Sequence, residues 1–325
     1  MPSIITHHMF AKEVLNRLNK KTQNRINKEL DVYYAFAQSH DYLFYYQLNL
    51  KYRKKINELG HYAHRHKSQE YLLNIIKEIK SNNLENNQQL VAYLYGSITH
   101  YVLDSTCHPY IFYKTGVYRK KEKDTYKYRV EHNHIEKDLD AIYYEKYTHK
   151  KLNTCNVNKE IIKNPIFTDT LINTISNVYK KTYNKDNIGY FFYKGIKHAK
   201  IAYTILINDR FGIKKFFLKI IDFITNKHSG CLANYSTYIK NPNLDYLNLN
   251  HKEWNHPSIK EIKYNYSFED LYEISLTKTL NIINEVNKVI YKNQDISILL
   301  DVIQDLDYDT GLIIKESKQM RHFEY

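Results

Sequence analysis

The chain has 325 residues, 43% of them hydrophobic, which is enough for one large domain or two small ones with a sizeable core. Only 8 Gly and 5 Pro argue against an all-β sandwich, because that fold needs many turns. The net charge of +13 suits a phosphate-bearing substrate, nucleic acid or an anionic membrane, although the Lys enrichment of an AT-rich genome would give the same charge without any partner.

The chain predicts a series of helices separated by short polar breaks. The first runs from about Thr6 to Leu18, with Thr6 as its cap and apolar residues at every fourth position. A break near 37–41 follows, and 241–257 looks like a long ordered loop. Later helices are predicted over about 61–81, 86–108, 128–147, 186–225 (with a break or two) and 267–292.

Targeting and membrane-spanning segments are not indicated. The three cysteines are scattered and show no C-x-x-C spacing, which favours a reduced compartment. The first residues are neither basic nor a long apolar run, so they do not resemble a signal peptide. The most apolar later stretch, 216–225, is short and carries Lys219 and Asp222, so it is not a membrane span. We therefore expect a cytoplasmic protein.

One predicted helix carries three metal-ligating residues at a regular spacing. His100, Asp104 and His108 follow one another at intervals of four, so on a helix they project from one stripe. Imidazole and carboxylate together suit zinc, iron or manganese. Gly96 lies four residues before His100 on the same stripe. Because glycine destabilises the middle of a helix, we expect it to be needed there, either to leave room for a ligand or to let another helix pack closely. Pro109 is expected to end this helix at His108.

A second predicted helix carries two candidate pairs. His132 pairs with Glu136 and His134 pairs with Asp138, each at a spacing of four. The two pairs point to nearly opposite sides of the helix, so one metal ion can use only one of them. Geometry alone does not choose between them, and either could be a solvated salt bridge.

Several other polar residues have ordinary explanations when taken singly. A histidine at the start of a helix is usually a surface residue, a lone aspartate in a break is usually a cap, and clustered histidines usually form a basic exposed patch. The residues concerned are His7, His8, Asp41, His61, His64 and His66. Ser105 and Cys107 are rejected as nucleophiles, because neither comes with a separate base and an oxyanion loop.

Taken in order, these segments resemble the zinc-dependent phospholipase C family, which shares its fold with the S1/P1 nucleases. Residues 247–257 and 267–271 are similar to the intracellular bacterial branch of that family. The segments that carry the resemblance in the first half are 2–15, 39–46, 60–64, His100-x-x-x-Asp104 and His132-x-x-x-Glu136.

The resemblance implies an all-α fold, a multi-helix bundle of the phospholipase C/P1 nuclease type with the metal cluster between core helices. It implies one domain over 1–325, with a metal-ligand half over 1–150 and a helical, loop-rich carboxyl half over 151–325.

The resemblance also implies two to three zinc ions. The first site would use Asp41, His64, His100 and Asp104. The second would use His108, His132 and Glu136, which settles the choice on the second helix. His7 would hold a third ion, with Asp104 bridging it to the first site. Asp41 is also the candidate catalytic base.

The implied function is the hydrolysis of phosphodiesters by a metal-activated water, as in a phospholipase C. The expected substrate is a phospholipid head group, met by peripheral membrane contact. The alternatives are a single-strand nuclease of the S1/P1 type, with nucleic acid as partner, and a non-catalytic member of the fold that binds metal or a partner.

The secreted members use a mature amino-terminal Trp as a zinc chelate, and this chain has no such residue. Pro2 lies five positions before His7, so its amine and carbonyl could take that role after removal of the initiator methionine.

Overall fold

The computed structural model of the chain describes residues 4–225 and 232–324. These residues form a mainly helical fold with one small antiparallel sheet, which confirms the predicted fold class. The α-helices are α1 (Ile4–Arg17), α2 (Lys20–Ile26), α3 (Leu30–Phe36), α4 (Arg53–Arg65), α5 (Ser68–Ser81), α6 (Gln88–Thr115), α7 (Tyr126–Thr148), α8 (Asp169–Tyr183), α9 (Ile188–Ala202), α10 (Ile213–Ile224) and α11 (Phe268–Lys292). The strands are β1 (Trp254–His256) and β2 (Ile259–Tyr264).

Helix α6 is the central helix, and it is buried on almost every side. Its amino terminus is capped by the Asn87 side chain, which accepts a hydrogen bond from the backbone N–H of Leu90. Helices α1, α3, α5, α7 and α11 all pack against it. A helix that is apolar all round buries itself in the core of a large domain, so any polar residue on α6 is also carried into the interior.

Gly96 allows α3 to approach α6 closely. A Cβ atom at this position would lie 2.5 Å from the carbonyl oxygen of Tyr33 and 2.7 Å from the Cβ of Phe36, both in α3. Of the two reasons expected for this glycine, the structure shows the close-packed helix.

The prediction that Pro109 ends its helix is wrong, because α6 continues to Thr115. Proline removes the N–H that would bond the carbonyl of Ser105, at a cost of about 3 kcal/mol. Tyr110 and Ile111, just beyond it, are fully buried, and each such side chain contributes roughly 2 kcal/mol. Burial of the last turn therefore offsets the lost hydrogen bond.

The prediction that Thr6 caps the first helix is also wrong, because α1 already begins at Ile4. The backbone N–H and the hydroxyl of Thr6 both donate to a carboxylate oxygen of Asp140 in α7, each at 2.9 Å. A carboxylate of α7 thus accepts a backbone N–H from the first turn of α1. This contact fixes α1 against α7 and places the histidines that follow Thr6.

Two other predicted segments differ from the structure. The helix expected over 61–81 is two helices, α4 and α5, divided at Lys67, whose φ of 59° is left-handed. The loop expected over 241–257 contains β1, which forms a hairpin with β2. Its strands are too short to show an alternating pattern. No helix within the described ranges is both long enough and apolar enough to cross a membrane.

Candidate metal centre

His100, Asp104 and His108 lie on one side of α6 and are completely buried. The Nε2 atom of His100 lies 3.4 Å from Asp104 Oδ2, and Nε2 of His108 lies 3.9 Å from Asp104 Oδ1. The two carboxylate oxygens therefore face different histidines, which places Asp104 at the centre of the stripe.

His7 reaches the same carboxylate from α1. Its Nε2 atom lies 3.1 Å from Asp104 Oδ1, and its ring centroid lies 4.8 Å from that of His100. The neighbouring His8 packs against Tyr34 instead, with ring centroids 4.2 Å apart. Only the first histidine of α1 therefore belongs to the cluster.

Asp41 and His64 complete this side of the cluster. Asp41 lies in the short 3-10 turn Ser39–Leu43 and is fully buried, and its Oδ1 lies 3.0 Å from Nε2 of His64. The same nitrogen lies 3.8 Å from Asp104 Oδ2. Two other histidines in and after α4 are exposed: His61 lies against Phe44, and His66 stacks on Tyr62.

Helix α7 brings His132 and Glu136 to His108. Nε2 of His132 lies 3.1 Å from a carboxylate oxygen of Glu136, and the rings of His132 and His108 are 6.2 Å apart. The competing pair is turned away. His134 is exposed, and the carboxylate of Asp138 accepts the backbone N–H of Asn243.

Three sets of side chains could each hold a metal ion, because the candidate ligand atoms within each set lie within 4.8 Å of one another. The second and third sets fall within the two sites expected from the resemblance, whereas the first joins His7 to residues expected at another ion. The sets are His7 with Asp41 and His100, then His64 with His100 and Asp104, and finally His108 with His132 and Glu136.

The chemistry of these residues fits zinc, which binds imidazole nitrogen and carboxylate oxygen. Several ligand atoms are buried without a hydrogen-bond partner in the described part of the chain: both nitrogens of His7 and His100, both oxygens of Asp104, and Nε2 of His108. Buried polar atoms in folded proteins are nearly always satisfied. Cations bound between these side chains would satisfy the carboxylate oxygens and one nitrogen of each ring.

Two backbone carbonyls set the ring orientation of candidate ligand histidines. The carbonyl of Gly60 lies 2.7 Å from Nδ1 of His64, and the carbonyl of Tyr308 lies 3.0 Å from Nδ1 of His108. A proton on each Nδ1 donates to the carbonyl, so Nε2 of each ring faces the cluster. Metal-ligating histidines are commonly held in this way.

Burial sets the protonation of the cluster. It lowers the pKa of His100 and of His108 well below the ordinary value, so both rings are neutral, as metal ligation requires. Burial acts to lower the pKa of His64 too, but the hydrogen bond and charge of Asp41 hold it above the ordinary value. Burial raises the pKa of Asp41 itself.

A cavity of about 490 Å³ opens onto the cluster. Aromatic side chains from four separate elements line its walls, among them Phe44, Phe112, Tyr203 and Tyr235. Its lining also includes the candidate ligands His64, His132 and Glu136, and the basic residues Arg65, Arg129 and Lys137. The cavity can therefore hold an anionic group next to the ligand atoms.

The sequence did not reveal the supporting residues. Tyr308 lies 200 positions after His108, and Asp140, which holds α1 in place, looks like any helical carboxylate. No spacing links either of them to the ligands. Pro2 and Cys231 lie outside the described residues, and the thiols of Cys107 and Cys155 are free and buried.

Comparison with known proteins agrees with this geometry. The family model of zinc-dependent phospholipase C matches residues 6–204, more than half of the chain and a range that includes every candidate side-chain ligand. Searches of curated proteins and of solved structures gave no match. The match ends before residues 247–271, so their likeness to the intracellular bacterial branch stays a prediction.

Proposed function

Because the chain belongs to the zinc-dependent phospholipase C family, we propose that it hydrolyses phosphodiesters, with a phospholipid head group as substrate. The observation that carries the proposal is the meeting of three sets of buried or half-buried candidate ligands beside one cavity. The basic side chains that line the same cavity suit a substrate with a charged phosphate.

The metal-binding residues proposed here come from five separate elements. The site nearest α4 would use Asp41, His64, His100 and Asp104, and the site nearest α7 would use His108, His132 and Glu136. His7 would hold a third ion together with Asp104. Zinc bound at these residues would lower the pKa of a coordinated water and polarise a phosphoryl oxygen.

Asp41 is the proposed general base. Its Oδ1 atom is engaged by Nε2 of His64, whereas Oδ2 is buried and has no hydrogen-bond partner in the described part of the chain. Oδ2 is therefore the atom that would take the proton from the attacking water. A residue shared between ligation and proton transfer must stay in place, and the surrounding 3-10 turn, which is buried throughout, holds it.

The basic residues of the cavity have a positioning role. The guanidinium of Arg65 is oriented by Asp309, with 2.6 Å between Nε and a carboxylate oxygen. Arg129 and Lys137 approach from α7. These cations, supplied by α4 and α7, would attract the phosphate and offset its charge as the attacking oxygen adds.

Metal analysis followed by three assays tests the proposal. The purified protein should contain at least two zinc ions per chain, and it should hydrolyse phosphatidylcholine and bis-p-nitrophenyl phosphate faster than single-stranded DNA. Fewer than two zinc ions would contradict the enzyme assignment. Faster cleavage of single-stranded DNA would identify a nuclease instead. Full zinc content with no activity on any substrate would identify a binding protein.

A further inference from the structure

Helix α10 exposes its apolar side chains. Only Leu218 and Asp222 are buried, while Phe223 is 86% exposed and Ile224 is 74% exposed. Soluble domains rarely expose a contiguous apolar patch of this kind without a function. The exposed apolar face of α10 consists of Ile213, Phe216, Phe217, Ile220, Ile221, Phe223 and Ile224.

The opposite side of α10 is anchored by polar contacts. The Asp222 carboxylate accepts the backbone N–H groups of Leu232 and Ala233 at 2.9–3.1 Å. At the other end, the Asp209 carboxylate accepts the backbone N–H of Lys215 at 2.8 Å, and Lys215 Nζ donates to the carbonyl of Tyr238 at 3.0 Å. The helix is thus held in this orientation by satisfied polar groups, and its apolar residues face outward.

Lysines border the apolar face on both sides. At 100° per residue, the seven apolar side chains occupy an arc of about 160° around the helix. Lys214 follows one edge of that arc and Lys219 follows the other. Lys214 Nζ also donates to the carbonyl of Thr204 at 2.5 Å, which ties α10 to the turn 203–207, where Ile205 and Leu206 are exposed.

We propose that the exposed apolar face of α10 docks the protein onto an anionic lipid surface. An interfacial helix places aromatic and aliphatic side chains at the acyl boundary and lysines at the head groups, and α10 offers both. The net charge of +13 adds long-range attraction to such a surface. A second copy of the chain fits less well, because two identical faces would bring lysine borders against lysine borders.

Helix α10 is separated from the cavity by a single turn. Helix α10 packs on the turn Ala233–Tyr235, and Tyr235 lines the cavity, as does Tyr203 at the start of the neighbouring turn. The turn 233–235 thus contacts both α10 and the cavity. The link between docking and hydrolysis rests on the proposed function, and it favours a phospholipid over a nucleic acid as substrate.

Vesicle flotation of the full-length protein tests the docking. The probe is vesicles of phosphatidylcholine and phosphatidylglycerol in equal parts, and the variant is Phe217→Ser/Phe223→Ser. Its partition onto vesicles should be at least tenfold weaker than that of the wild type. The control, Ile166→Ser/Leu300→Ser, removes two exposed apolar side chains from other parts of the chain and should bind as the wild type does.

A Phe217→Trp variant measures insertion directly. Its emission should shift to the blue on vesicle binding and be quenched by brominated lipid, against a constant signal from Trp254, which is buried. Equal binding by the two double variants, or no spectral change during binding, would overturn the proposal. So would a wild-type dimer that does not bind vesicles and becomes monomeric in the Phe217→Ser/Phe223→Ser variant.

Hydrolysis of bis-p-nitrophenyl phosphate separates this inference from the proposed function. This soluble diester needs no membrane, so both double variants should hydrolyse it at the wild-type rate. Vesicle binding through α10 with no hydrolysis would leave the docking intact and reject the enzyme. Hydrolysis without vesicle binding would reject the docking alone.

Discussion

Helices α6 and α10 reverse the usual distribution of side chains in opposite ways. Helix α6 carries His100, Asp104 and His108 into the interior, while α10 carries Phe216, Phe223 and other large apolar residues to the surface. Charged groups are normally kept out of cores, and large apolar patches are normally kept off surfaces. We propose a different partner for each reversal: metal ions inside and lipid outside.

The two regions also differ in how their residues are assembled. The cluster draws its side chains from α1, α4, α6, α7 and the turn around Asp41, so each ligand depends on long-range packing. The face of α10 comes from one continuous helix of twelve residues. We therefore expect a single substitution in the cluster to cause a large loss of metal and activity. A single substitution on α10 should weaken lipid binding only in part.

Asp104→Asn should have the largest effect, because the two oxygens of Asp104 face four histidines. The variant should hold fewer than two zinc ions per chain, and its activity on bis-p-nitrophenyl phosphate should fall on the order of 10³-fold. Asp138→Asn is the matched control, a buried carboxylate off the cluster that bonds the backbone of Asn243. Normal zinc content in Asp104→Asn would show that Asp104 is not a shared ligand.

His132→Ala and His134→Ala test the assignment on α7. Both residues lie on one helix two positions apart, but only His132 faces His108. The first variant should lose about one zinc ion per chain, because a three-ligand site does not survive the loss of a ligand. The second should keep its metal. The reverse result in elemental analysis would assign the ion to His134 and Asp138.

Gly96→Ala should destabilise the inner region by steric conflict. Its Cβ would meet backbone atoms of α3, which cannot move away as a side chain can, so we expect a loss of about 2 kcal/mol in the free energy of unfolding. Gly60→Ala is the control, since the atoms nearest its Cβ belong to the ring of Phe44, a side chain that can shift. Urea unfolding at fixed zinc concentration compares the two. Equal free energies of unfolding for the two variants would mean that α3 and α6 move apart at little cost.

Lys219→Gln should have the smallest effect and acts on the outer region. Removing one lysine near an anionic surface should weaken vesicle binding roughly fivefold. The difference should shrink as salt is added, because exposed charges are screened. Lys292→Gln, at the exposed end of α11, should change nothing. A loss that persists at high salt would mean that Lys219 acts by packing.

Local spacing predicts some of the candidate ligands, and tertiary contacts are needed for the others. The interval of four residues was enough to align His100, Asp104 and His108, because the pitch of a helix is a local property. The same interval left two pairs open on α7. The resemblance favoured His132 and Glu136, and the structure brings that pair to His108. Their role as ligands, the single domain over 1–325 and the cytoplasmic location stay predictions.

The errors and omissions share a physical cause. Thr6 and Pro109 were interpreted by local rules for helix ends, and each rule was overridden by a contact or burial that depends on distant residues. Tyr308 was missed because its contribution is a backbone carbonyl, which any residue type carries. The apolar run 216–225 was recognised and excluded as a membrane span, but its exposed side could not be assigned.

The sequence by itself determined the helical fold class, the stripe on α6 and, through resemblance, the set of candidate ligands that opens with His7. Only the tertiary structure decided which ligand atoms meet, how Gly60 and Tyr308 orient the rings, and that α10 faces outward. Helical spacing depends on a few neighbouring residues. The distance between Asp41 and His64, or between α10 and the cavity, depends on how the whole bundle packs.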